Sequence, residues 1–416
     1  MRLELITIGD ELLLGYTIDT NAAYLARELS AAGIEVVRRT TVGDEASAIS
    51  AAVREAIERT GAVITTGGLG PTSDDRTKPA IAELFGRGMR RDDDVLHAIE
   101  ERFRTLGSHM PPSNVQQAMI PEGARILHNR HGTAPGIWLE DEHGRWVAML
   151  PGIPREMRGM TNDTLLPLLR ARGSATPTVV SSRTLRTTGI GESALAERLG
   201  DEASEVAGLQ VASLPGWAGV DLRITARGLT AERAREKLDA GAAKLRAHAS
   251  AYIYGEDDAD LAAVVLEQCR ARALHIATAE SCTGGLLGAR LTAIAGSSDV
   301  YLGGVVAYSN HVKELWLGVQ PDELAQHGAV SDVVARRMAS GIASRLGSEI
   351  GVGITGIAGP GGGTPDKPVG TVWIAVQVNG ALEARCRVYP GDREEIRLRS
   401  TQAALDMIRR ALHDAP

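Results

Sequence analysis

Ala62-Val63-Ile64-Thr65-Thr66-Gly67-Gly68-Leu69-Gly70-Pro71-Thr72-Ser73-Asp74-Asp75 is the stretch that decides the fold. Its first five residues, apolar or β-branched, read as a short buried strand. The strand runs into a glycine-rich turn that ends in two acids. Upstream, Leu3–Ile8 reads as a second strand, ending at Gly9-Asp10-Glu11. Helical spacing covers Asn21–Ser30, with Asp19 or Thr20 as cap and Gly33 as stop. Ile34–Val42 is extended, and Asp44 is read as the cap of a helix over Ala46–Arg59 that closes at Gly61. Strand and helix alternate, which implies a parallel sheet with right-handed crossovers. The turns after the strands then share the carboxyl edge, where doubly wound folds bind ligands.

Outward from this unit, residues 92–172 read as a continuation with irregular loops. Gly173-Ser174-Ala175-Thr176-Pro177 reads as a linker. Residues 178–252 have the grammar of a small α+β module, and Glu256-Asp257-Asp258 reads as an acidic hinge. From Asp260 the α/β alternation returns. The expectation is three domains: 1–174, 175–255 and 256–416.

Composition narrows the function. There are 45 Lys and Arg against 52 Asp and Glu, a net charge of −7. That disfavours a general nucleic-acid or anionic-membrane binder. No apolar run approaches a membrane span. The three cysteines, Cys269, Cys282 and Cys386, have neither disulfide-framework nor zinc spacing. A reduced, cytoplasmic protein is expected. The 47 glycines in 416 residues exceed the about 7% of average usage. They cluster at predicted strand ends, so the turns are read as places where backbone approaches a ligand.

Two constellations carry chemistry. In the first half, Asp10, Glu11, Asp44, Asp74 and Asp75 come from separate turns and can converge on one edge. Gly67, Gly68 and Gly70 can open backbone N–H groups to an anion. Carboxylates beside such a loop suggest a hard divalent cation bridging to a pyrophosphate. Each acid alone also reads as a plain turn or cap. The loop lacks both the P-loop lysine and a complete G-x-G-x-x-G.

In the last half, Thr278-Ala279-Glu280-Ser281-Cys282-Thr283-Gly284-Gly285 is a hydroxyl-rich strand-to-helix junction. N–H groups at a helix start can bind an anion or an oxyanion. Gly296-Ser297-Ser298, Tyr308-Ser309-Asn310 with Lys313, and Thr355-Gly356 add further hydroxyls and an amine. No Ser-His-Asp triad is evident, whereas a serine with a lysine base is an alternative. Cys282 is a rival nucleophile, or a small buried filler.

Taken together, Gly9-Asp10-Glu11-Leu12, Gly43-Asp44, Gly67 to Asp75 and Leu150-Pro151-Gly152-Ile153-Pro154 resemble the molybdopterin-binding domain family, in the branch at the front of CinA (competence/damage-inducible) proteins. Ala279 to Gly285, Ala295 to Ser298, Tyr308-Ser309-Asn310, Thr355 to Pro360 and Pro390-Gly391-Asp392-Arg393 resemble the PncC amidohydrolase domain, over about 258–413. The middle module is similar to a KH-like domain. Its turn Gly189-Ile190-Gly191-Glu192 misses the GXXG spacing, and ten Lys and Arg against nine Asp and Glu over 176–252 leave no basic footprint. A structural or dimerisation role is expected there rather than RNA binding.

The resemblance implies an N-terminal doubly wound, mostly parallel sheet, a small α+β module and a second α/β domain. It implies deamidation of nicotinamide mononucleotide to nicotinic acid mononucleotide and ammonia, with Ser298 as nucleophile, Lys313 as base and Tyr308 assisting. Ser281 and Thr355 would line the amide site. Arg393, Thr283, Gly284, Gly285 and Gly356 would contact substrate. This half would need no cofactor. For the front half the resemblance implies ADP-ribose hydrolysis with a divalent metal (Mg, Mn or Co) on the five acids. Gly67, Gly68, Gly70 and Asn21 would bind that substrate. A homodimer is expected, with no membrane or nucleic-acid partner. Recombination or competence proteins are partners the family name suggests. The alternative is a pterin- or nucleotide-binding module and competence or repair accessory without pyrophosphatase activity.

Overall fold

A computed structural model describes residues 1–172 and 179–414, so the linker expected at 173–177 lies outside the described residues. The chain packs into two compact units, Met1–Ser181 with Ala226–Glu236, and Ser182–Thr225 with Lys237–Pro416.

The first unit is built on β1 (Arg2–Ile8), β2 (Glu35–Val42), β3 (Ala62–Thr66), β6 (Arg125–Leu127), β7 (Gly136–Glu140) and β8 (Trp146–Leu150), in the order β2-β1-β3-β8-β7-β6. A separate pair, β4 (Met89–Arg91) with β5 (Met119–Pro121), stands apart. β1, β2, β3 and β8 are mutually parallel where they pair, while β7 and β6 add antiparallel. Residues 92–172 therefore continue the sheet, as expected, but finish it with an antiparallel edge. Register aligns Thr7 with Thr41 and with Thr66, and Thr66 with Leu150. The carboxyl ends of four strands thus share one edge.

Side-chain alternation explains why the central strands read as continuous apolar runs. Leu5 and Ile64 face Leu25, Leu29 and Met157 on one side. Ile6 and Val63 face Ile49, Val53 and Ile81 on the other. Both faces carry helices, so both must be apolar. Glu4 is a buried charge on β1, and Arg59 holds it through two bonds of 2.7 and 2.9 Å. The expected caps are half right. Asp19 accepts from Ala22 N–H, and Gly61 closes Ala46–Thr60 in the left-handed region. Asp44 does not cap that helix, because Glu45 stands at the cap position and makes no side-chain bond.

The second unit contains most of the small sheet β10-β11-β12-β9-β13, from β9 (Val179–Thr187), β10 (Glu205–Val206), β11 (Leu209–Pro215), β12 (Val220–Leu229) and β13 (Ile253–Glu256). It also holds a five-stranded sheet of β14 (Ile276–Glu280), β15 (Tyr301–Val306), β16 (Ile350–Gly356), β17 (Thr371–Val378) and β18 (Ala381–Val388), ordered β15-β14-β16-β17-β18. β15, β14 and β16 are parallel, and β17 and β18 are antiparallel additions. Helices Leu261–Arg270 and Arg393–Asp414 supply the core on one face, and Asp332–Leu346 packs on the other.

Part of the glycine excess belongs to this packing rather than to ligand loops. A Cβ on Gly353 would meet Ala339 N at 2.7 Å, and one on Gly351 would meet the Ala343 methyl at the same distance. Glycine lets the helix backbone lie directly on the strand.

Candidate functional site

The carboxyl edge of the first unit gathers acids as expected, but gives them different tasks. Asp10 N–H donates to Asp44 Oδ2 at 3.0 Å, and Asp44 N–H donates to Asp10 Oδ1 at 3.3 Å. The two turns are thereby clasped together, each carboxylate keeping one oxygen outside the clasp. Burial pushes the Asp44 carboxyl up, and the charges of Asp10, Glu11 and Asp74 push the same way. Asp74 is held low by the Thr72 hydroxyl. Asp75 is committed elsewhere: its oxygens accept from Gly70 N–H at 2.7 Å, from Thr72 N–H at 2.8 Å and from the Thr72 hydroxyl. It braces the loop from within, which leaves it poorly suited to the metal-ligand role expected of it. Among the described residues, no group of three or more His, Cys, Asp and Glu side chains is arranged to hold a metal ion.

The loop glycines are also explained by the protein itself. Gly67 and Gly68 have φ of +113° and +64°, which an L side chain rarely adopts. A Cβ on Gly68 would strike the Thr77 side chain, and one on Gly70 would reach Asp75 Oδ2 at 2.5 Å. Their first duty is close packing, not room for an anion. Asn21 sits at the same edge. Its amide donates to Gly152 O at 2.7 Å and Thr66 Oγ1 at 3.2 Å. Its Oδ1 is buried with no partner. The sequence reading missed Lys78, 3% exposed, which bonds to the carbonyls of Gln116 and Gln117 at 2.7 and 3.0 Å. Burial pushes its amine down to about 8, with Asp75 opposing. Nothing in a lone helix lysine announces that burial.

At the second sheet, the carboxyl ends of β14, β15 and β16 meet. Ser281 N–H donates to Ile354 O at 2.9 Å, and Ala307 N–H to Glu280 O at 2.8 Å. Ser281, Tyr308 and Thr355 are therefore brought to one edge. Ser281 is 9% exposed and Thr355 1%. The Thr355 hydroxyl donates to Ala329 O at 2.7 Å, which leaves its oxygen as an acceptor. Lys313 is in the first turns of Asn310–Leu317, capped by Ser309. It is 1% exposed, the bulkiest of the fully buried side chains. Burial pushes its amine down, and the opposing neighbour is the thiol of Cys282 rather than a carboxylate. Cys282 is itself pushed up to about 12 by burial, so it is a thiol at neutral pH. Arg393 donates to Tyr308 Oη at 2.8 Å and to Gly359 O at 2.7 Å, tying two loops of this edge together.

Two expectations fail here. Ser298 is not at this edge. It precedes β15, whose first residue Tyr301 pairs with Ile276, the first residue of β14. Asp299 beside it is held at 2.6 Å by Arg270, the last residue of the helix that feeds β14. Lys313 follows the other end of β15. The six residues of β15, a strand about 20 Å long at about 3.3 Å per residue, lie between the two. The second failure concerns the junction's N–H groups. Glu280, 2% exposed, accepts from Gly285, Leu287 and Gly288 at 3.1, 3.0 and 2.8 Å. Of the N–H groups expected to meet an anion, that of Gly285 is taken by the protein's own carboxylate and that of Gly284 by Ser281 O at 3.0 Å. A different group is left over: Thr283 Oγ1 is buried with no partner. Gly284 and Gly285 are needed for φ of +60° and +91°, and Gly356 for its approach to Val372, whose Cγ2 a Cβ would meet at 2.7 Å.

This is an α/β chain with a molybdopterin-binding-type domain in front, a middle module and a second α/β domain behind, with polar groups gathered on a carboxyl edge in each sheet. Family models match in that order: probable molybdopterin binding domain over 4–171, the damage-inducible protein CinA KH domain over 182–255, and the CinA C-terminal domain over 258–412. A CinA-like protein of Gemmatimonas aurantiaca is 61% identical, covering 99% of this chain and 96% of that one. A putative competence-damage inducible protein of Moorella thermoacetica is 44% identical over 99% of each chain. The chain belongs to the CinA family. Among solved structures, the protein CinA with unknown function from Thermoplasma acidophilum is 35% identical over 40% of this chain and 97% of its own, with a TM-score of 0.38. No helix among the described residues is long and apolar enough to cross a membrane.

Proposed function

We propose that the second α/β domain hydrolyses the carboxamide of nicotinamide mononucleotide, releasing ammonia. The observation that supports this best is Lys313, a buried amine with no carboxylate to hold its proton, beside a strand end rich in hydroxyls. Ser281, not Ser298, takes the role of nucleophile. Neutral Lys313 removes the Ser281 proton as Oγ attacks the amide carbon, and the tetrahedral oxyanion forms near the unpartnered Thr283 hydroxyl. The lysine then returns that proton to the amide nitrogen, the C–N bond breaks, ammonia departs and the acyl group remains as an ester on Ser281. Water, deprotonated by the same amine, cleaves the ester and restores the serine. Arg393 offers a charge-assisted contact to the substrate phosphate.

Ser281→Ala is expected to lower ammonia release by at least about a thousandfold. Ser298→Ala is expected to leave it within about twofold, since it lies on the opposite edge. A coupled ammonia assay on both variants decides, and equal losses would return Ser298 to the mechanism.

For the front domain we propose metal-dependent hydrolysis of ADP-ribose. The residues fit a cation that arrives with its phosphates, since such ions take one or two carboxylates and substrate oxygens rather than a full protein cage. Asp10 and Asp44 would hold it, with Asp74 adjacent. When bound, it supplies charge neutralisation at the pyrophosphate. Asn21 Oδ1 is free to orient the substrate. Asp10→Asn with Asp44→Asn is expected to cost at least about a hundredfold in Mn-dependent turnover. Unchanged turnover by the folded double variant would refute the assignment.

A further inference from the structure

A cavity inside the second unit is lined by residues other than those of the edge just described. Its volume is about 560 Å³, within the size of small-molecule sites. The turn Thr188 to Gly191 and the loop Gly216 to Val220 form one wall, and β18 with the helix Arg393–Asp414 forms the other. None of Ser281, Tyr308, Lys313, Thr355 or Arg393 lines it.

Three polar groups in its lining are buried and lack partners: Tyr389 Oη, Arg399 Nε and Gln402 Nε2. Gln402 is 3% exposed, and its Oε1 is fixed by Arg290 at 2.9 Å, so its amide nitrogen is the group left over. Unpaired donors at such depth are costly unless something accepts from them. The lining holds Arg385, Arg387, Arg399 and Arg410 against a single acid, Asp406, in a chain of net charge −7; Arg385 pairs with Glu383, which leaves Arg387 and Arg399 as the cations offered to a ligand. Asp406 is already neutralised by Arg409 at 2.7 Å and Arg410 at 2.8 Å. Gly191 opens the helix Glu192–Leu199, whose N-terminus carries no side-chain cap. Its N–H groups add to the positive field. Trp217, 37% exposed, carries Arg290 over its ring at 5.4 Å, so a planar base would take the other face.

We propose that this cavity is a binding site for a phosphate-bearing small molecule of mononucleotide size. The phosphate accepts from Arg399, Gln402 and the Gly189 to Gly191 turn, and the base lies against Trp217. The glycine turn that fails as an RNA-binding loop is thereby given another use. Gly189 is required there in any case. Its φ is +76°, and a Cβ would come within 2.8 Å of Asp406 Oδ2 and 3.1 Å of Arg410.

The test is hydrogen exchange on the full-length chain with AMP and, separately, inorganic phosphate. AMP is expected to slow exchange at 188–191 and 216–220. In Arg399→Gln, the concentration giving half protection should rise at least about tenfold. Arg387→Gln, on an exposed strand, gives a second reading that does not risk the fold and should weaken protection in the same sense. Stronger protection by AMP than by phosphate identifies a nucleotide, and equal protection identifies the free anion. The proposal is overturned if neither protects these segments at millimolar concentration. It is also overturned if protection is unchanged in both variants, or if a single-stranded oligonucleotide protects where AMP does not.

Discussion

Lys313→Met is expected to abolish ammonia release from nicotinamide mononucleotide while raising the stability of the domain. The two effects share one cause. The lysine is 1% exposed, and its lowered amine faces a thiol rather than a carboxylate. The proposed role as base rests on burial, which holds the amine neutral at a lower pH than a surface lysine. Removing a general base costs about 10² to 10⁴ in rate. The wild-type rate should rise with pH as the amine loses its proton, and the lowered pKa moves that rise toward neutrality. For stability the sign is fixed by the same direction. Below the ordinary lysine pKa of 10.5 the unfolded chain binds the proton more readily than the folded one, so folding loses free energy as pH falls. Methionine fills a similar volume and carries no charge to desolvate. Melting curves at neutral pH should therefore place the inactive variant above the wild type, by about 1–2 kcal/mol. Retained activity would remove Lys313 from the mechanism. Lost activity with lowered stability would mean that the lysine holds the fold instead.

Glu280→Ala is expected to be the most damaging single polar change in the second sheet. Glu280 accepts from three backbone N–H groups at the start of Leu286–Thr292. Alanine would strand these donors where Glu280 is 2% exposed. Losing charge-assisted bonds to buried donors should cost about 3–4 kcal/mol, read as a shift in urea midpoint. Glu280→Gln keeps one acceptor oxygen and should lose roughly half of that. The loop from Ser281 to Gly285 hangs on these bonds, so activity should fall together with stability. An alanine variant as stable as wild type would show that water satisfies the three donors.

Much of the architecture was legible because it is local. Strand periodicity, glycine and aspartate punctuation, and the order of the modules all reside in short windows. The apolar run Leu3–Ile8 announced a strand, and Asp19 and Gly61 announced helix ends. The clustering of Asp10 and Asp44 followed from the parallel order alone. Lys78 and Lys313 were less legible. A lysine three or four residues into a helix looks the same whether it is solvated or buried.

What the sequence alone determined is the α/β class, the succession of a molybdopterin-binding-type domain, a small module and a second α/β domain, and the sheet edge on which the candidate site residues gather. Tertiary structure decided which residues reach that edge. Ser298 and Ser281 stand in equally plausible turns, and the register of β15 against β14 puts them at opposite ends of the sheet. Glu280 and Asp75 lie in motifs that look free to bind a ligand, yet their oxygens close on neighbouring N–H groups. The cavity beside Arg399 and Gln402 joins segments some 200 residues apart in the chain. Register, burial and hydrogen-bond pairing depend on contacts between distant segments, and no local pattern of residues encodes them.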